Sequence, residues 1–428
     1  MRLIASRVRG MKDLLPQESE KWDTICETIK SEARLYGFKF IRTPVLEHTE
    51  LFERSAGDGS DIVNKEMYTF TDKGGRSVTL RPEGTAGVMR AVLENGLHNQ
   101  TLPLKLMYNS SCYRYEKPQI GRYREFFQFG LEVFGSDSPL AEVELICLAD
   151  SILKRIGIKD VNLEINSIGC LECRKNYVKA IKDYFSEREK SLCETCKTRL
   201  ENNTLRILDC KDPSCKEIVS NAPSVRDYLC EECKDHFEYI QDSLKSLGID
   251  YKLNPRIVRG LDYYSRTVFE FSADIDGNSV VICGGGRYDK LSETFGGPAM
   301  PALGLGIGME RIFMVIEHQK INFVCNDSPE VYIATADDIS RLYALKLCEL
   351  LRKASIFAES DLLKRSLKSQ LKYADKVGAN YTIFLGQEEL EKGKAKIREM
   401  NTKKEYVISI DDRFMDDFLS VQFKKFEF

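Results

Sequence analysis

The sequence lacks any apolar run approaching the ~18 residues that cross a membrane. Its start, MRLIASRVRGMKDLLP, scatters arginines where a secretion signal would carry an unbroken apolar core. A cytoplasmic protein without a membrane partner is therefore expected. Also missing is a charge excess: 63 Lys+Arg against 66 Asp+Glu leave a net charge of −3, so any nucleic-acid partner has to be held by local basic patches rather than by a global field. No segment repeats and none is of low complexity. With no secretion signal to imply an oxidising compartment, the 14 cysteines read as reduced thiols, metal ligands or both rather than as a disulfide framework. What is present is length. A chain of 428 residues exceeds one ordinary domain and predicts two or three units with cores of their own.

Periodicity divides the chain. SEKWDTICETIKSEARLYGF has helical spacing and a Gly stop, and FKFIRTPVLEH reads as a strand ended by Pro44. LPLKLMYNSSCYRYE and REFFQFGLEVFG are strand-like arms around a turn at Pro118 to Gly121, which predicts a long antiparallel hairpin. Residues 170–245 are charged, helical in pattern and hold eight of the cysteines, so they read as an insertion into a larger fold. Strand patterns resume at YKLNPRIVRGLDYYSRTVFEF, and VVICGGGRYDKL and LGLGIGMERIFMVI follow as strands running into helices. After a break at Ser328 and Pro329, VYIATA, SIFAES and YTIFLG alternate with the helical SRLYALKLCELLRKA and SLKSQLKYADKVG, the pattern of a small α/β domain.

Candidate chemistry sits at the ends of these elements. The hairpin turn carries Arg114, Lys117, Arg122 and Arg124 against only Glu116 and Glu125, a set able to close over an anion, although a solvated hairpin tip accounts for the same charges. Gly304, Gly306 and Gly308 fall at strand spacing, leaving one strand face bare enough for a flat ring to lie on the backbone, with Arg311 beside it. Close packing of a helix on that strand is the plainer explanation. RPEGTAG places Glu83 and Thr85 near a helix N-terminus, where Thr85 would cap the helix and Glu83 complement its dipole even without any ligand. RGLDYY adds Arg259, Tyr263 and Tyr264 at a turn before a strand. Lys364, Lys368, Lys372 and Lys376, with Arg365 alongside, recur every fourth residue and predict a basic stripe on a helix, for phosphates or simply for solvent.

Taken together these residues resemble a known family. Pro44 after a helix and strand, Arg114-Tyr115-Glu116 with its loop and Arg122-x-x-x-Phe126, and Gly304-x-Gly306-x-Gly308-x-Glu310-Arg311 resemble the three motifs of class II aminoacyl-tRNA synthetases. RGLDYY and GGGRYD (residues 284–289) resemble the two signatures of the histidine-specific family, the histidyl-tRNA synthetases. The likeness spans nearly the whole chain. It implies an α+β fold with a class II antiparallel-sheet catalytic core over residues 1–325, interrupted by the helical insertion, and a C-terminal α/β anticodon-binding domain over residues 329–428. The implied reaction is ATP-dependent activation of L-histidine to histidyl-adenylate with release of pyrophosphate, then transfer of the histidyl group to the 3′ end of tRNA(His). Mg2+ accompanies ATP as part of the substrate. A homodimer joined near Pro44 is implied as well.

The resemblance also assigns roles. Glu83, Thr85 and Gln128 receive the substrate ammonium, Glu132 and Tyr264 flank the imidazole, and Tyr263 lines the same pocket. Arg259 and Arg114 meet the carboxylate and α-phosphate, Glu116 the adenine amino group, and Arg122, Phe126 and Arg311 the rest of ATP. Gln119 and Arg124 of the hairpin loop, and Arg365, Lys368 and Lys372 of the stripe, meet tRNA. A catalytically silent paralogue, a regulatory subunit of histidine biosynthesis, is the alternative. It is disfavoured because Arg259 and the last hundred residues are both present. The resemblance says nothing of the insertion. Cys170-x2-Cys173, Cys193-x2-Cys196 and Cys230-x2-Cys233 have zinc-knuckle spacing, and Cys210-x4-Cys215 could add a fourth pair, enough for two tetrahedral structural Zn2+ sites. Idle reduced thiols are the competing account. A metal-held module is expected to have too little apolar sequence to pack alone, and to serve tRNA binding apart from adenylate chemistry.

Overall fold

The computed structural model describes residues 6–423 apart from 58, 59, 61, 120, 203, 211, 258–260 and 324–327. The chain divides into two compact units, Met1–Phe323 and Val324–Phe428. Among the described residues of the first, an eight-stranded sheet runs in the order Lys39–Phe40, Leu104–Tyr113, Glu125–Phe134, Ala302–Gly308, Asn278–Arg287, Ser265–Ile275, Val161–Ser167 and Lys252–Leu253. All neighbours are antiparallel except the two short edge strands.

Alternation along the central strands sets the two faces of this sheet. In Glu125–Phe134, Phe129, Leu131 and Val133 enter a core with the helices Pro16–Leu35, Leu140–Ile156, Glu231–Ser246 and Met309–His318. The intervening residues Phe126, Gln128, Gly130, Glu132 and Phe134 point the other way, where the helix Thr85–Glu94 and the short helix Leu291–Thr294 cover part of the sheet. One face is thus closed by helices and the other is left open for a site.

The expected hairpin is present, with Tyr113 opposite Glu125 and Leu104 opposite Phe134. Pro16 starts the first helix, and Gly37, at φ +84°, lets the chain turn back with Phe38 N–H bonded to Ala33 O at 3.1 Å. The strand expected from Phe38 and ended by Pro44 is shorter, only Lys39–Phe40 at the edge of the large sheet, and beyond Pro44 a second short strand, Leu46–His48, joins Ser77–Leu80 and Tyr68–Thr71 in another sheet. Pro44 sits at the change of direction. Arg81 holds that bend, its guanidinium donating to Thr43 O, Pro44 O and Ser111 O at 3.0, 3.2 and 2.6 Å.

The insertion is helical, as expected, but it has more core than its composition suggested. Tyr177, Ile181, Phe185, Leu200, Ile207 and Val219 pack together as a separate buried cluster. Its last helix, Glu231–Ser246, belongs to the main core through Phe237, Ile240 and Leu244.

The second unit holds a five-stranded sheet in the order Ala358–Ser360, Val331–Thr335, Tyr381–Leu385, Lys394–Glu399 and Glu405–Ser409. Its first three strands are parallel and the last two antiparallel, packed with the helices Asp338–Lys353 and Phe414–Phe423. The basic stripe is shorter than expected: the helix begins at Leu367, so Lys364 precedes it and only Lys368, Lys372 and Lys376 share its exposed face. Arg365 stacks on Tyr373 at 4.1 Å and pairs with buried Asp361 at 2.8 Å. No described helix is long and apolar enough to cross a membrane.

One buried ion cluster ties sheet, helix and insertion together. Arg287, at the end of Asn278–Arg287, is fully buried and donates through Nε to Glu142 Oε1 at 2.8 Å, while Glu142 also receives His236 Nε2 at 2.7 Å. Burial opposes charge on Glu142, but the bonds from Arg287 and His236 prevail and hold the carboxyl below its usual range. Removing one partner of such a pair strands the other. Arg287→Met should therefore cost about 3 kcal/mol or more of stability, read as a lowered urea midpoint for the catalytic unit; an unchanged midpoint would contradict the assignment.

Candidate functional site

On the open face of the sheet, Glu132 is 1 % exposed and is the focus of three hydroxyls. Thr85 Oγ1 donates to its Oε1 at 2.8 Å, Tyr108 OH to the same oxygen at 3.2 Å, and Tyr288 OH to Oε2. Burial still dominates and pushes the Glu132 carboxyl up to about 8 against these bonds. Beside it, Glu83 accepts from the backbone N–H groups of Thr85 and Ala86 at 2.7 and 2.8 Å. Glu83 is thus the group that satisfies the helix terminus, and the Thr85 hydroxyl is turned to Glu132 instead of capping. Burial raises the Glu83 carboxyl too. The Tyr263 ring lies 4.8 Å from Tyr264 and 5.5 Å from Tyr288, adding aromatic walls.

The glycine face is not bare in the way its spacing suggested. A Cβ on Gly304 would lie 1.7 Å from Glu132 Oε2, and one on Gly306 would lie 2.1 Å from Gln128 Nε2. These two glycines make room for polar side chains of the neighbouring strand, whose Glu132 is paired with Gly304. At Gly308 the nearest atoms belong to Arg311, at 3.7 Å or more, so open backbone remains there.

That end of the strand opens into a cleft of about 430 Å³. It brings together Arg114, Glu116, Arg122, Phe126, Gln128 and Arg311. Arg114 is anchored through Nε to Pro82 O at 2.9 Å and lies 5.1 Å over the Phe126 ring; Arg311 is anchored to Val281 O at 2.7 Å. Burial and the neighbouring cations Arg122 and Arg114 lower the Arg311 pKa, the signature of a positive cleft that favours a polyanion. Glu116 is 3.6 Å from Arg122. Arginine forks, an aromatic face and open glycine backbone together suit a nucleotide, and the buried Glu132 lies on the same strand.

A family model described as histidyl-tRNA synthetase matches residues 10–312, and one described as an anticodon binding domain matches residues 330–414. This chain belongs to the histidyl-tRNA synthetase family. Curated relatives named histidine–tRNA ligase include that of Acetivibrio thermocellus, 51 % identical over 96 % of this chain and 98 % of that one, and that of Thermoanaerobacter pseudethanolicus, 47 % identical over the same shares. The crystal structure of apo Staphylococcus aureus histidyl-tRNA synthetase superposes with a TM-score of 0.83 at 36 % identity, covering 97 % of this chain and 100 % of that one. A Bacillus halodurans structure titled as an ATP phosphoribosyltransferase regulatory subunit/histidyl-tRNA synthetase is 24 % identical with a TM-score of 0.65, and shows only the shared fold.

For a histidyl-tRNA synthetase, the expected residues fall into two adjoining groups, Glu83, Thr85, Glu132, Tyr263 and Tyr264 in the pocket, and Arg114, Glu116, Arg122, Phe126, Gln128 and Arg311 in the cleft. Arg259 lies outside the described residues. In the hairpin loop, Gln119 and Arg122 exchange backbone hydrogen bonds at 3.1 and 2.9 Å, and the Arg124 guanidinium stacks 3.9 Å from the Tyr115 ring. Sequence reasoning missed Tyr108 and Tyr288, the two phenols that grip Glu132; the alternation of LKLMYNSSCY, which puts Tyr108 on the open face, was the available signal. It also missed Arg199 and Arg206, which reach the cleft from the insertion.

The eight cysteines of the insertion form two groups, Cys170, Cys173, Cys230 and Cys233, and Cys193, Cys196, Cys210 and Cys215. Within each group all Sγ atoms lie within 4.8 Å of one another. Bonds of about 2.3 Å to a tetrahedral Zn2+ separate its sulfurs by about 3.8 Å, so either group suits such an ion.

The burial of Glu132 has a pH consequence. Without substrate its folded-state pKa of about 8 stands above the ordinary 4.5, so the folded chain keeps a proton that the unfolded chain has released. Stability attributable to this group therefore falls as pH climbs from about 4.5 to about 8. In denaturation of the ligand-free chain at about pH 6 and about pH 8.5, Glu132→Gln should lose less stability than the unsubstituted chain; parallel losses would contradict the assigned burial effect.

Proposed function

We propose that the chain is a histidine–tRNA ligase that activates L-histidine with ATP, releases pyrophosphate, and transfers the histidyl group to the 3′ end of tRNA(His). The observation that carries this reading is the placement of two chemistries on one face of one strand, with Glu132 buried beneath three hydroxyls and Gln128, four residues earlier, in an arginine-lined cleft.

In this reading Glu132 accepts the imidazole N–H, with Tyr264 on the other side of the ring. A pocket that satisfies both ring nitrogens leaves its own polar groups unpaired when an apolar amino acid enters, a mismatch worth ~10⁴-fold or more. Glu83, Thr85 and Gln128 take the substrate ammonium, and Tyr263 closes the pocket. The substrate carboxylate is the nucleophile, so the chain supplies position and charge rather than a covalent partner. Arg114 and Arg259 hold the carboxylate and α-phosphate as negative charge builds at phosphorus. Glu116 meets the adenine amino group, Phe126 and Arg311 the rest of the nucleotide, and Arg122 its phosphates. Mg2+ arrives on those phosphates as part of the substrate.

The catalytic domain spans residues 1–325 with the insertion at 170–245, and residues 329–428 bind the anticodon, presenting Arg365, Lys368 and Lys372 to tRNA while Gln119 and Arg124 meet its acceptor end. A homodimer is supported by the sheet beyond Pro44, which leaves Val45, Leu46 and Phe70 exposed. The enzyme works in the cytoplasm. The silent regulatory paralogue is less supported, because pocket acids, cleft arginines and the anticodon unit are all retained. Each four-cysteine group holds one structural Zn2+, the first where the insertion leaves and rejoins the core, the second inside it.

In tRNA-free ATP–pyrophosphate exchange the unsubstituted chain should respond to histidine alone. Glu132→Gln should raise the histidine KM about tenfold or more, because an amide can present a donor to the ring N–H, and change the ATP KM less than about twofold. Equal rises in both would sink the assignment. Protein purified without chelator should carry close to two zinc ions per chain; below about half an ion, with all eight thiols open to titration, the cysteines are idle.

A further inference from the structure

The insertion was expected to serve tRNA alone, yet two of its arginines line the nucleotide cleft. Arg199 lies on the helix Glu194–Asn202 and Arg206 on the short helical turn Thr204–Asp209. They add two cations to Arg114, Arg122 and Arg311, against Glu66, Glu116 and Glu310. The acids are weaker opponents than their number suggests. Burial pushes the Glu310 carboxyl up to about 7 while it accepts from Phe127 N–H at 2.9 Å, and Glu116 already stands beside Arg122. The cleft therefore has an unbalanced positive lining contributed by two separate parts of the chain.

The segment that carries the pair is held in place. Leu200 and Ile207, the neighbours of the two arginines in sequence, are buried in the insertion's core. Arg199 Nη1 donates to the carbonyl of Arg206 at 3.2 Å and joins helix to turn, using one of the five N–H donors of its guanidinium. Cys196 and Cys210 bracket the segment and meet in the second four-cysteine group, where Cys193 Sγ is 3.8 Å from Cys210 Sγ. Anchored by their buried neighbours, the two arginines reach the cleft at a smaller entropy loss than side chains on a free segment.

We infer that Arg199 and Arg206 bind the triphosphate of ATP, so that the nucleotide is held between the sheet arginines and the insertion. The inference rests on the ligase reading. Phosphate is a good partner for this geometry because a guanidinium donates two parallel, charge-assisted bonds to it. The insertion then takes part in adenylate formation as well as in any contact with tRNA.

The test is histidine-dependent ATP–pyrophosphate exchange without tRNA, on the full chain with its metal retained, comparing Arg199→Ala, Arg206→Ala and the pair. Loss of a charge-assisted hydrogen bond predicts a rise in ATP KM of about tenfold or more for each, with histidine KM within about twofold and partial recovery by Arg199→Lys. Arg206 also stands near Asp262, whose carboxyl burial raises against the opposing charges of Arg174 and Arg206. If Arg206→Ala lowers the circular dichroism, Arg199→Ala and its lysine counterpart decide the question by themselves. An ATP KM within about twofold of the unsubstituted value in a folded Arg199→Ala chain overturns the inference. So does an unchanged ATP KM with a raised tRNA KM in the charging assay, which assigns the arginines to tRNA phosphate. An unsubstituted chain with no histidine-dependent exchange overturns the ligase reading itself, and this inference with it.

Discussion

The strand Glu125–Phe134 carries core and site on opposite faces, and its register is the constraint on which the rest depends. Phe129, Leu131 and Val133 fasten it to the helical side, while Gln128, Gly130 and Glu132 occupy the open side. A slip of one residue would drive Glu132 into the apolar core and turn Leu131 toward the ligand. Both neighbours guard against it. Leu104–Tyr113 pairs along the whole strand, and Ala302–Gly308 supplies glycines where Glu132 and Gln128 need space. The glycine spacing is thus a consequence of what the adjacent strand carries.

Within that frame the acid pocket is electrostatically expensive. A carboxyl pushed to about 8 is mostly protonated near neutrality in the empty enzyme, even with three hydroxyls around it. A ligand that brings a ring N–H donor and an ammonium restores the reason to ionise. In the proposed reading, selectivity comes from polar groups left unpaired when the wrong side chain enters, a stronger filter than shape alone. The neighbouring cleft has the opposite imbalance, cations without enough acids, and favours a polyanion. A neutral buried acid and a cationic cleft thus share one strand.

Much of this was legible in the sequence where local pattern and chemistry agree. The hairpin shows because its arms alternate and its turn holds Pro118 and Gly121; the second unit shows because apolar strands alternate with amphipathic helices. The failures have physical reasons. The hairpin Lys394–Glu399 and Glu405–Ser409 went unread because alternation there is between charged residues and a few apolar ones, the pattern of strands with one solvated face, which resembles a loop. The split at Pro44 depends on Arg81, distant in sequence, gripping three carbonyls. Tyr108 and Tyr288 stand inside strand patterns with nothing local to mark them, and only the fold turns their hydroxyls onto Glu132. Arg199 and Arg206 looked like ordinary surface charge on a helical insertion. The role of Arg287 in GGGRYD is also non-local, since its partner Glu142 lies in a separate helix.

The central claim is that histidine binding converts a neutral buried carboxyl into an ion. Infrared difference spectroscopy at neutral pH tests it directly, by adding histidine to the ligand-free enzyme and to Glu132→Gln. The account predicts that the unsubstituted enzyme loses one protonated-carboxyl carbonyl band and gains carboxylate bands, and that the variant shows neither change. A carboxyl signal unaltered by histidine, or the same loss in Glu132→Gln, would contradict it.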